Sequence, residues 1–143
     1  AVVAVLALST QLVRAQSVEI RRVLTDYGWH GVGGTVQVHQ PTMEFSAPWV
    51  GIWERSPRGN RYGDWVYVKV LINCEQWQQI AFATLDDSYN MVLIADATGT
   101  DPVATWPEPG SEPHRTMTAV CALYGYQRQA VRRPSAGYVE RVP

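Results

Sequence analysis

A chain of 143 residues that is 46% hydrophobic and 17% charged can build one packed domain, which excludes a compositionally disordered polymer. Its formal net charge of −1 supplies no basic field for nucleic acid. Three scattered histidines and two cysteines offer no H-x-x-x-H or C-x-x-C spacing, so neither a metal nor a cofactor is expected.

The chain begins with an aliphatic run, Ala1 to Leu8, followed by Ser9 to Gln16. This pattern reads as the h-region of a signal peptide cleaved after Ala15, with Val13 and Ala15 as the small residues before the cut. Retained, the same segment would be a hydrophobic anchor giving membrane association through residues 1–13. A membrane span needs about 20 apolar residues, and Gln11 and Arg14 arrive too early for one. The expected organisation is therefore residues 1–16 as signal or anchor, 17–133 as one α+β domain, and 134–143 as a tail.

Val18 to Leu24 is expected to form a strand at a sheet edge, because of its charges. Thr25 to Gly34 is glycine-rich but lacks the G-x-G-x-x-G spacing and the P-loop lysine, so it reads as a connection. Thr35 to His39 alternates as a strand that turns Val36 and Val38 to one side and leaves His39 solvated. Trp49 to Glu54 follows Pro48 as a third strand. Ser56 to Asp64 is rich in Pro, Gly and Asn and reads as a hairpin loop. Arg55, Arg58 and Arg61 make it a candidate binding loop for an acidic partner.

Trp65 to Cys74 carries the clearest pattern in the chain. Val66, Val68, Val70, Ile72 and Cys74 fall on one side, and Tyr67, Lys69, Leu71 and Asn73 on the other, as in a strand with one buried face. Trp77 to Leu85 runs back, and Asp86-Asp87-Ser88 turns the chain again. Tyr89 to Ala95 is apolar enough to be a central strand. Short links between successive strands make an antiparallel meander. Asp96 to Pro113 has no regular pattern and four prolines, with Trp106 as its apolar peg. Ser111 is the expected N-cap of a helix with Glu112 and Pro113 in its first turn. Met117, Cys121, Tyr124 and Val131 fall on one helical face, Arg128, Arg132 and Arg133 gather near the end, and Pro134 stops the helix. Two cysteines pair in an oxidising compartment and stay reduced in a cytosol.

Leu71-Ile72-Asn73-Cys74-Glu75 closing a long strand, then Trp106-Pro107-Glu108-Pro109-Gly110-Ser111, then a helix holding Val120-Cys121, resembles the surface-adhesin protein E family of bacterial envelope proteins. The resemblance runs from Thr35 to Cys121. It implies an antiparallel sheet with a C-terminal helix packed on it and tied by a Cys74–Cys121 disulfide. It also implies an exported protein of the periplasm or outer-membrane surface whose partner is another protein, a second copy of the chain included.

No nucleophile motif such as G-x-S-x-G is present, and the paired carboxylates Asp86 and Asp87 sit in a turn and face opposite ways, so no catalytic residue is assigned. Trp53 and Trp106 are the expected surface aromatics. The functional expectation is thus a non-enzymatic, adhesin E-like binding protein. The alternative is an accessory structural subunit of a membrane complex, anchored by its N-terminal segment.

Overall fold

The computed structural model describes residues 17–25, 27–59, 63–94 and 102–127. The expectations for residues 1–16, for Arg61, for Arg128 to Arg133 and for the tail fall outside these. Eight antiparallel strands form one sheet: β1 (Trp29–Gly31), β2 (Gln37–His39), β3 (Glu44–Ser46), β4 (Trp49–Pro57), β5 (Trp65–Asn73), β6 (Gln78–Leu85), β7 (Met91–Leu93) and β8 (Val103–Thr105). Its main path is β1-β2-β4-β5-β6-β7. The long strands β4, β5 and β6 are the expected meander. Each outer member of that trio carries two short strands end to end. β2 and β3 share the edge of β4, and β7 and β8 share the edge of β6.

Because side chains alternate along a strand, the sheet has two faces, and both are covered. One face packs Val38, Val50, Ile52, Val70, Ile72, Cys74 and Trp77 against Met117, Val120 and Cys121. The other packs Trp53, Tyr67 and Leu85 against Val23, with Ile20, Leu24, Trp29, Trp65 and Met91 around them. β5 is therefore a central strand buried on both sides, where its alternation suggested one buried face. Its Val70, Ile72 and Cys74 point to the first core as expected, while Tyr67 anchors the second.

The second core depends on a helix in place of the strand expected over Val18 to Leu24. Residues 17–24 are helical, here called α1. Ile20, Val23 and Leu24 are spaced three and four apart, which puts them on one helical face over the sheet. Val18, which a strand reading would pair with Ile20, is exposed instead. Lys69 of β5 donates to the Glu19 carboxylate and fastens α1 to the sheet.

On the first face lies α2 (Glu112–Ala122). Ser111 is its N-cap, with the hydroxyl accepting from His114 N at 3.4 Å. The helix ends earlier than its apolar spacing suggested. Gly125 has φ +83°, Tyr126 N donates to Cys121 O at 3.1 Å, and Gly125 N donates to Ala122 O at 3.1 Å. That is a left-handed glycine stop, and the expected Val131 position lies outside the described residues. Tyr124 stacks on Phe45 of β3 at 4.3 Å. Cys74 and Cys121 are disulfide-bonded with Cα atoms 5.6 Å apart, closing a separation of 47 residues. Among the described residues no helix is long and apolar enough to cross a membrane.

Candidate binding surface

Two turns come together at one end of the sheet, beyond Pro57 of β4 and Leu85 of β6. In the β4–β5 hairpin, Arg58 N donates to Asp64 O at 2.8 Å. In the β6–β7 turn, the Asp86 carboxylate accepts from Ser88 N and Asn90 N, each at 2.9 Å, and Asp86 N donates to Asn90 O. An Asp side chain that ties its own following amides makes a rigid turn without a hydrophobic core. Arg58 joins the two turns, donating through Nη1 to Asp87 Oδ1 at 3.1 Å with Asp64 Oδ1 4.0 Å from its Nε.

The tight turn places Tyr89 at φ +61°, a left-handed conformation that side chains rarely adopt, and leaves it exposed. The chain then enters β7, which forms the outer edge of the sheet in the described residues. Val92 is 44% and Leu93 74% exposed there. An edge strand offers unpaired backbone donors and acceptors, and apolar side chains beside them make it a place where another chain can settle. Tyr89 to Ala95 was expected to be central on the strength of these same residues. The short turn and the three-residue length of β7 show why it is not, since Val92 and Leu93 cover only the rim of β6.

The other candidate residues fall elsewhere. Arg55 is not in the loop. It lies in β4, 7% exposed, with its guanidinium carbon 4.5 Å from the Trp29 ring centroid and 4.1 Å from that of Trp65, and Nε donating to Gln37 Oε1 at 2.8 Å. It braces the second core through cation–π contacts. Trp53 is fully buried, not a surface aromatic, because β4 alternates it onto the face covered by α1. Trp106 is half-buried. Of the three arginines, Arg58 alone is described at the loop surface.

His39, expected to be solvated, is buried to 1% exposure. Its Nε2 faces Tyr27 O at 3.0 Å, and its Nδ1 faces Thr42 Oγ1 at 2.8 Å. A carbonyl only accepts, so Nε2 carries the proton and Thr42 donates to Nδ1. Burial holds the ring below the usual histidine range, with Arg22 and Arg55 adding to the effect and the Tyr27 bond opposing it. The ring pins the turn after α1, where Gly28, at φ +86°, leaves no room for a Cβ beside the Pro41 ring. A shallow cleft of about 330 Å³ opens above it, lined by Arg21, Arg22, Thr25, Tyr27 and Pro41. No group of three or more His, Cys, Asp and Glu is close enough to hold a metal among the described residues.

No protein-family model matches the chain, and no curated protein matches it. Solved structures do. Crystal form II of Haemophilus influenzae protein E is 12% identical, with a TM-score of 0.52, over 71% of this chain and 92% of that one. A second Haemophilus influenzae protein E structure is 13% identical, with a TM-score of 0.50, over 71% and 89%. A structure of protein E from non-typeable Haemophilus influenzae is 12% identical, with a TM-score of 0.51, over 71% and 80%. The likeness is one of fold.

Proposed function

We propose that the chain is a non-enzymatic, exported protein of the bacterial envelope, at the periplasm or the outer-membrane surface, that works by binding another protein. The observation that carries this reading is the β7 edge of the sheet, which has no outer neighbour among the described residues and exposes Val92 on one face and Leu93 on the other, with Tyr89 exposed in the turn before it. An edge strand that leaves its apolar side chains exposed is a ready template for another chain. Arg58 and the turn carboxylates give that patch a polar rim. The fold shared with protein E and the Cys74–Cys121 disulfide, a bond that persists in oxidising compartments, support export.

The test is saturable binding of the labelled, oxidised protein to a panel of purified extracellular proteins. Binding to one of them, lost on addition of excess unlabelled protein, is expected. Absence of saturable binding across the panel would contradict the reading. The apolar run of residues 1–13 favours a second reading, an anchored accessory subunit of a membrane complex. Release of the protein from membranes by a carbonate wash would count against that.

A further inference from the structure

Across the sheet, one row of paired residues runs His30, Val38, Glu54, Val68, Thr84 and Val92. Glu54 therefore sits among aliphatic neighbours on the face covered by α2. Its Oε1 is sealed from solvent and has no hydrogen-bond partner. An ionised carboxylate in such a place is costly.

Above the same face, Glu112 opens α2 and reaches to the strap of residues 32–36 that links β1 to β2. Its Oε1 accepts from the Thr35 hydroxyl at 2.8 Å, from Val36 N at 2.8 Å and from Thr35 N. Gly34 lies so close that a Cβ would overlap this carboxylate. Val32 of the strap packs on the first core. Glu112 is thus the clasp between strap and helix, and three donors on one oxygen favour its charged form. The helix N-terminus favours that form as well.

We propose that Glu54 and Glu112 make a pH-sensitive latch, in which a protonated Glu54 lets the strap and the first turn of α2 close over the sheet, and loss of its proton loosens them. Several observations agree. The Thr35 hydroxyl first, then Val36 N–H, hold Glu112 below the usual carboxylate range, with Arg115 on the same helix adding to this. Burial first, and then the Glu112 charge, push Glu54 up to about 7 from 4.5. Two acids whose environments separate them in this way divide the roles of charged clasp and neutral neighbour. The charged or titratable groups that the neighbouring elements bring to the latch are Glu112, the buried His114 and Arg115 from α2 and, two strands along the row, His30 of β1.

The sign follows from linkage. The closed latch holds the Glu54 proton more tightly than the open one, so it tightens as pH falls from 7 to 4.5, and below 4.5 Glu112 in turn gains a proton and its clasp weakens. Opening grows by up to about tenfold per pH unit between 4.5 and 7, and levels off above.

The experiment follows the backbone amide signals of Thr35 and Val36 by NMR between pH 4 and 8.5, with Ile72 in the centre of β5 as internal control. In the unaltered protein a step with its midpoint near pH 7 is expected at both strap amides and not at Ile72. In Glu54→Gln that step disappears. A step that persists in Glu54→Gln, or no step in the unaltered protein, overturns the proposal. Should Glu54→Gln fold poorly, Glu112→Gln serves instead. Removing the repulsion then moves the Glu54 carboxyl midpoint, read by its side-chain carbon signal, to lower pH, and an unmoved midpoint overturns the latch.

Discussion

The two faces of the sheet are held by different physics. The α2 face is mainly aliphatic, with Trp77 in its core, and is covalently closed. Val50, Ile52, Val70 and Ile72 pack under Met117 and Val120, and a disulfide ties the helix to the end of β5. The α1 face is smaller and more aromatic, with a fully buried Trp53, an arginine lying over two indole rings, a lysine–glutamate tie and a buried neutral histidine. Aliphatic packing tolerates small adjustments. The α1 face depends on a few large or polar groups, each with a particular partner, so single substitutions there should be felt more sharply.

The largest expected effect is on that smaller core. Trp53→Ala should lower stability by about 3–5 kcal/mol, measured by urea unfolding, since it empties the space between α1 and the sheet. A loss near 1 kcal/mol would mean that α1 contributes little. Breaking the covalent tie of the other face comes next. Cys121→Ser should cost about 4 kcal/mol under oxidising conditions for a closed loop of 47 residues. An unchanged melting temperature would show that α2 is held by packing alone.

The faces should also respond to pH in opposite directions. Glu54 has its folded pKa raised, so its contribution is present below 4.5 and is lost as pH rises to about 7, an effect of at most about 3 kcal/mol. His39 has its folded pKa lowered, so its contribution is present above 6.5 and is lost as pH falls. Melting curves from pH 4.5 to 8 should therefore show Glu54→Gln flattening the fall in stability towards neutral pH, and His39→Gln flattening the fall towards acid. A Glu54→Gln curve parallel to the unaltered one would contradict the assignment. The smallest effect belongs to the candidate surface. Arg58→Ala removes only exposed ion pairs and should change stability by about 0–1 kcal/mol.

The difference between the faces also explains what could be read in the sequence. The α2 face is written in regular patterns. The alternation of β5, the short turns of the meander and the Ser111 cap all appear where expected, and the family resemblance supplied the Cys74–Cys121 pairing. The α1 face is not. The eight helical residues among those described hold too few apolar positions to separate period two from period 3.6, and Val18 with Ile20 imitates an edge strand. Burial of Trp53 follows from α1 lying over it, that of Arg55 from the Trp29 and Trp65 rings, and that of His39 from the Tyr27 turn and Thr42, none of which a local pattern records.

The candidate surface was only half legible. Arg58 was singled out by composition, while Tyr89, Val92 and Leu93 were hidden by looking like a core strand. The signal available was the turn at Asp86 to Asn90, which leaves a strand too short to sit in the middle of a sheet. The apolar spacing runs smoothly through Gly125, whose left-handed backbone closes α2 after Ala122, so the stop could not be read from spacing alone.

The most direct test concerns two exposed leucines. Leu93 lies on the proposed binding edge, and Leu123, 57% exposed, lies at the far end of α2. Against an extracellular protein that binds the unaltered chain, Leu93→Asp should lose at least about tenfold in affinity at an unchanged melting temperature. Leu123→Asp should bind as before. Equal affinities for all three proteins, or loss with Leu123→Asp alone, would contradict a binding surface at the β7 edge.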